Sequence, residues 1–137
     1  HMRAFAYCEM LEEITFPSSV EQLGEALFLN CTSLADVTLP ENLAKIPEEC
    51  FSGCSSLKNV ELPKALKYIL VGAFSHCDAL AEIDFPDELL AIDTNAFHAC
   101  AGLKEIRLPL SLQFLGNDAF AHCRNLTDVY IPHTKPF

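Results

Sequence analysis

Residues 74–92 read FSHCDALAEIDFPDELLAI, and this stretch contains the complete unit from which the chain is built. Its apolar positions follow the pattern F-x-x-C-x-x-L-x-x-[IV]-x-[LF]-P-x-x-L-x-x-[IL]. Within it, Ile83 and Phe85 alternate with polar residues at period 2, which indicates a short strand from Glu82 to Phe85. Pro86 then ends the strand, because proline has no N–H to donate to a sheet.

The unit occurs six times, always 23 residues apart, without an insertion or a deletion. Its first position forms a column of phenylalanines: Phe5, Phe28, Phe51, Phe74, Phe97 and Phe120. A column of cysteines follows: Cys8, Cys31, Cys54, Cys77, Cys100 and Cys123. A strict period of this length indicates a solenoid, in which stacked coils bury one continuous core. We therefore predict six coils that stack short parallel strands, joined by irregular or short helical turns.

The wider pattern A-F-x-x-C-x-x-L-x-x-I-x-[LF]-P-x-x-L-x-x-I-G, over residues 4–132, resembles the BspA-like class of leucine-rich repeats. The resemblance implies an α/β horseshoe-like, right-handed solenoid with a parallel sheet on its concave side. It also implies adhesion or protein binding, at a cell surface or after secretion. The chain departs from the class at Pro47, Leu70 and Asp93, which stand where a glycine is expected. It also lacks the asparagine column of the commoner leucine-rich repeat.

The acidic charge of the chain narrows the choice of partner. The chain has 19 acidic and 9 basic side chains, a formal net charge of −10, which disfavours nucleic acid and anionic membranes. No apolar run approaches the roughly 20 residues of a membrane-spanning helix.

We divide the chain into a lead-in left by cloning (1–3), the six-coil domain (4–132) and a C-terminal tail (133–137). Two N-x-T sequons, at Asn30 and Asn125, matter only if a eukaryotic cell secretes the protein.

Cys77 lies between His76 and Asp78, a combination that suggests a metal site or a thiol nucleophile. The cysteine repeats in every coil, however, whereas its neighbours change from coil to coil. A zinc site needs ligands that recur together, and a nucleophile needs one activated thiol. We therefore interpret the column as small buried hydrophobic side chains. The seventh cysteine, Cys50, falls in a column of mostly small residues and receives the same interpretation.

Catalysis is disfavoured, although Glu61, Glu82 and Asp84 bring carboxylates close together. General acid–base work needs a pocket that shifts pKa values apart, and a shallow sheet offers none. No phosphate-binding, hydrolase or metalloprotease motif occurs. We predict no enzyme activity, no catalytic residue, no cofactor and no metal; weak calcium binding at the acidic rows is left as an alternative.

The side chains on either side of the buried strand residue point away from the core. Five of the six in the first such column are acidic, and neighbouring coils then place like charges side by side. One hypothesis is a concave face that binds a basic protein or peptide, with Arg107 and Tyr130 as anchors. The alternatives are a solvated face, a structural spacer and a self-assembling repeat segment of a larger surface protein. The candidate residues are Glu13, Asp36, Thr38, Asn59, Glu61, Glu82, Asp84, Glu105, Arg107, Asp128 and Tyr130.

Apolar residues also replace polar ones on the outer side of coils three to five, where they suggest self-association or a partner surface. These are Leu70, Val71, Leu90, Leu110 and Phe114. The strand edge at 13–16 has no preceding cap, so it is a second place where copies could pair. The Pro- and Lys-bearing tail after residue 131 is expected to block the other edge. We therefore expect a homo-oligomer.

Overall fold

Short parallel strands form two sides of a stacked coil in the computed structural model, which describes residues 1–132. Nine strands of two or three residues occur in that part of the chain. Their bounds are β1 (Glu13–Thr15), β2 (Asp36–Thr38), β3 (Lys45–Ile46), β4 (Asn59–Glu61), β5 (Tyr68–Ile69), β6 (Ala91–Ile92), β7 (Glu105–Arg107), β8 (Phe114–Leu115) and β9 (Asp128–Tyr130). The predicted solenoid of stacked parallel strands is confirmed.

Two sides of the solenoid carry the strands in separate sheets. The first side holds the sheets β1-β2-β4 and β7-β9, and the second side holds β3-β5-β6-β8. The register follows the repeat, so that Ile14 pairs with Val37 and Val37 with Val60. After each strand of the first side the proline begins a turn, as where the Pro40 carbonyl accepts the N–H of Leu43 at 3.2 Å.

The third side of each coil consists of irregular turns, which is one of the two predicted forms. No helix occurs in residues 1–132, which differs from the predicted alternative of short helical turns and from the α part of the α/β class. The hydrogen bonds explain the difference. The N–H of Phe28 donates to the Cys50 carbonyl of the next coil at 2.8 Å, whereas the N–H of Leu29 turns back to Ala26 at 3.1 Å. A helix would instead need each amide to bond four residues back within the same coil.

Two positions of every turn have positive φ, between 52° and 76°. Such left-handed backbone favours Gly and Asn, although other residues adopt it at a cost. The first column is Arg3, Ala26, Glu49, Gly72, Asn95 and Asp118. The second, directly before the cysteines, is Tyr7, Asn30, Gly53, His76, Ala99 and His122. The residue beside each cysteine is therefore a surface turn residue, which explains why its identity varies.

The core is built on the phenylalanine column. Adjacent rings lie 5.1 to 5.7 Å apart and within 11° of parallel along all six coils. The rings of Phe51 and Phe74 are fully buried, whereas Phe5 in the first coil is 43% exposed and Val129 in the last is 49% exposed. Core positions of the end coils are more open because a coil packs on them from one direction only in residues 1–132.

The fourth coil departs from the predicted pattern. The segment 82–85 is not a strand: its backbone makes no ladder hydrogen bond to β4 or to β7 in the described chain, and the first side is split there into two sheets. Ile83 remains 6% exposed, so its inward orientation is as expected. The apolar alternation of the segment is therefore kept while its pairing is lost.

Candidate binding face

The side chains predicted for the concave face are all exposed on the first side of the solenoid. They alternate with buried residues, as in β2, where Val37 is buried between exposed Asp36 and Thr38. We refer to this surface as the acidic face. It comprises Glu13, Thr15, Asp36, Thr38, Asn59, Glu61, Glu82, Asp84, Glu105, Arg107, Asp128 and Tyr130.

Side-chain contacts link neighbouring coils at two places on the acidic face. The Asn59 amide donates a hydrogen bond of 2.6 Å to the Asp36 carboxylate. At the other end the Arg107 guanidinium lies 4.0 Å from the centre of the Tyr130 ring, and its Nε is 3.9 Å from Glu105. Arg107 and Tyr130, predicted as anchors for a partner, thus contact each other. Cross-strand pairs of this kind stabilise a sheet, and both lie where the strands are paired.

The unpaired segment of coil four has no such link. No hydrogen bond or ion pair in residues 1–132 joins Glu82 or Asp84 to an adjoining coil. In the columns Glu82 lies between Asn59 and Glu105, and Asp84 lies between Glu61 and Arg107. Like charges on adjacent strands destabilise pairing, and the split in the sheet lies at two carboxylates that make no ion pair in residues 1–132.

A groove of about 870 Å³ runs along the acidic face over coils two to four. Its lining includes seven carboxylates and two lysines: Asp36, Glu41, Glu61, Glu82, Asp84, Asp87, Glu88, Lys58 and Lys64. Five of these were not predicted from the sequence: Glu41, Lys58, Lys64, Asp87 and Glu88. Four follow the prolines (Glu41, Lys64, Asp87 and Glu88), so the polar positions after each proline were the available signal.

One carboxylate of the groove has a basic partner from the second side of the solenoid. Lys67 Nζ lies 2.7 Å from Glu88 Oε1. The hydrogen bond from Lys67, followed by its charge, lowers the pKa of Glu88. Glu88 is thus partly neutralised, whereas Glu82 and Asp84 have no ion-pair partner in residues 1–132.

The cysteine column does more than fill space, because its thiols donate hydrogen bonds to the coil before. Cys77 Sγ lies 3.2 Å from the Phe51 carbonyl oxygen, and Cys100 Sγ lies 3.0 Å from that of Phe74. The same contact recurs at Cys31, Cys54 and Cys123. Small size explains why a cysteine fits, and this contact explains why an alanine would not be equivalent.

Burial favours the protonated thiol at Cys31, Cys54 and Cys77. It raises the pKa of Cys54 to about 12, with a smaller contribution from Cys31, and it raises the pKa of Cys77 well above the ordinary value. A protonated thiol can donate to a carbonyl but is a poor nucleophile or metal ligand. All seven cysteines are free. Cys77 therefore both fills space in the core and donates a hydrogen bond, and Cys50 is likewise fully buried.

Two of the five self-association candidates line a groove, and three lie outside it. Leu110 and Phe114 line an apolar groove of about 250 Å³ at the C-terminal end, together with residues such as Leu115 and Ile131. Leu70, Val71 and Leu90 lie outside that groove, and Leu70 and Leu90 are half-buried. In the described residues β1 pairs only with β2. The tail predicted to block the other edge, 133–137, lies outside the described residues.

In residues 1–132, no group of three or more His, Cys, Asp or Glu side chains is arranged to hold a metal ion. No helix suited to crossing a bilayer is found in the same residues.

Known proteins give a consistent result for the fold. Residues 1–127 match the family model for the BspA type leucine rich repeat region, in 6 copies. The structure of the T. pallidum leucine rich repeat protein superposes with a TM-score of 0.80 at 29% identity, covering 88% of this chain and 69% of that one. A leucine-rich repeat protein from Bacteroides ovatus matches with a TM-score of 0.73 at 30% identity, covering 96% of this chain and 40% of that one.

A leucine rich cell surface protein from Faecalibacterium prausnitzii matches with a TM-score of 0.59 at 27% identity, covering 90% of this chain and 40% of that one. None of the curated proteins matches the chain. The chain is thus shorter than these relatives, and spans less than half of two of them. Because the family model matches the chain in 6 copies over residues 1–127, this protein belongs to the BspA type leucine-rich repeat family.

Proposed function

We propose that this chain is a non-catalytic binding module that holds a basic protein or peptide on its acidic face. The observation that carries the proposal is the groove over coils two to four, with its seven carboxylates and two lysines. Leucine-rich repeat surfaces of this kind suit protein binding and adhesion. The F. prausnitzii relative, described as a cell surface protein, supports a surface or secreted location for this chain.

The uncompensated charge of coil four explains why a basic partner would be favoured. Glu82 and Asp84 are exposed and make no ion pair in residues 1–132, so a partner's Lys or Arg could supply a counter-charge. Because the groove is open to solvent, attraction should depend on ionic strength. The same openness argues against acid–base chemistry, which relies on excluding water.

A hexa-arginine peptide tests the proposal, with hexaglutamate as the control peptide. The test variant is Glu82→Gln with Asp84→Asn. The matched control, Glu21→Gln with Glu25→Gln, changes net charge equally at exposed positions off the acidic face. Titration calorimetry should show that the test variant binds hexa-arginine at least about 10-fold more weakly, and the control within about 2-fold.

The melting temperature separates lost recognition from lost folding. The test variant should melt no lower than the parent, because the substitutions remove repulsion between like charges. Equal weakening in both variants, or no binding of hexa-arginine by the parent, would contradict a specific acidic site. Either result would favour the alternative of a structural spacer between neighbouring domains.

A further inference from the structure

Three histidines form a continuous row on the turn side, away from the acidic face. The ring centres of His76 and His98 lie 5.4 Å apart, and those of His98 and His122 lie 5.1 Å apart. Both pairs meet edge to face, at 69° and 73°. His76 and His122 share a column, in which the intervening coil has Ala99, and the ring of His98 lies between them.

The backbone holds this row in place. The N–H of His76 donates to the His98 carbonyl at 2.8 Å, and the N–H of Ala99 donates to Ala121 at 2.7 Å. His76 and His122 have φ of 59° and 60°, the conformation shared by their whole column. The spacing of the imidazoles is therefore set by the stacking of coils four to six, with only the ring torsions left to adjust.

We propose that His98, together with either His76 or His122, forms a two-imidazole site for a divalent transition-metal ion such as Zn²⁺. Zinc–nitrogen bonds are about 2.0–2.1 Å long, which places each ring centre about 3.2 Å from the metal. At a tetrahedral angle, two such rings have centres about 5.2 Å apart. The observed separations of 5.4 and 5.1 Å bracket this value, so rotation of the rings would complete the pair.

The row can hold one ion rather than two. His76 and His122 are separated by two coils, about 9.6 Å, so they cannot share an ion with each other. Each pair therefore uses His98, and water would complete the tetrahedral set. Such a site has two protein ligands and is distinct from the groups of three or more that residues 1–132 lack.

The proposal departs from the sequence prediction of no metal. His76, Ala99 and His122 occupy equivalent positions of the repeat. His98 belongs to a different column, so the sequence did not indicate that its ring lies in the row. The buried thiols take no part, because Cys77 and Cys100 donate to carbonyls inside the solenoid. The net charge of −10 favours a cation near the surface.

Zinc titration with imidazole ¹⁵N NMR tests the site ring by ring. The titrations use chains in which His1 and His133, the two histidines outside the row, are replaced by glutamine. With zinc, the nitrogens of His76, His98 and His122 should shift together, and calorimetry should give one ion per chain. Binding should weaken in acid, because protons compete with the metal ion for the imidazole nitrogens.

Single and double variants identify the shared ligand. His98→Gln should weaken zinc binding at least about 10-fold, because it removes a ligand from both pairs. His76→Gln or His122→Gln alone should weaken it only about 2-fold, the statistical factor for losing one of two pairs. Both together should match His98→Gln. Unchanged affinity in His98→Gln, shifts absent from the row, or complete loss in either single variant would overturn the proposal.

Discussion

Replacing Phe74 with alanine tests whether the phenylalanine column carries the stability of the solenoid. Phe74 is fully buried, with ring centres 5.3 Å from Phe51 and 5.1 Å from Phe97, both within 10° of parallel. A buried Phe→Ala change costs about 3–5 kcal/mol in free energy of unfolding. The upper part of that range is expected, since each aromatic contact contributes about 0.5–1.5 kcal/mol beyond burial. We therefore expect a loss of about 5 kcal/mol.

Phe5→Ala is the matched control, because it makes the same chemical change in the first coil. Phe5 is 43% exposed and stacks on one ring only, that of Phe28 at 5.7 Å. We expect a loss of about 2 kcal/mol, since less apolar surface is removed from the core and one contact is lost instead of two.

Urea unfolding followed by circular dichroism gives both values by linear extrapolation. The slope against urea must be compared between variants, because repeat arrays can lose two-state behaviour and then no single free energy applies. If Phe74→Ala and Phe5→Ala differ by less than about 1 kcal/mol with equal slopes, the reasoning from ring burial and stacking is refuted.

Three further changes probe the coil-to-coil contacts. Gly102→Ala should lower stability by about 1–3 kcal/mol, because the new Cβ would lie 2.6 Å from the Asp78 carbonyl oxygen, and an unchanged melting temperature would contradict this. Cys77→Ala should lower the free energy of unfolding in urea by about 1–2 kcal/mol, because the hydrogen bond to the Phe51 carbonyl is lost. An unchanged free energy would show that the thiol only fills space. Ala99→Gly should raise stability by about 0.5–1 kcal/mol, since φ is 58°, and calorimetric destabilisation would refute it.

The sequence alone determined which positions of each coil face the core and which face outward. An exact 23-residue period makes all coils alike, so one reading of the unit places the phenylalanine column in the core and the prolines at the turns. The outward orientation of Glu82 and Asp84 follows from alternation with Ile83, and it holds even though their segment is unpaired.

Only the tertiary structure decided the contacts between positions that are not equivalent. The Cys77 thiol reaches a carbonyl 26 residues earlier, and the His76 ring meets one 22 residues later, so neither contact appears when positions 23 apart are compared. Whether a strand pairs also depends on its neighbours' side chains. An amide links β2 to β4, whereas Glu82 and Asp84 find no such partner in residues 1–132. A repeat specifies what each coil contains, but the energy of a stacked sheet depends on what faces what across the stack.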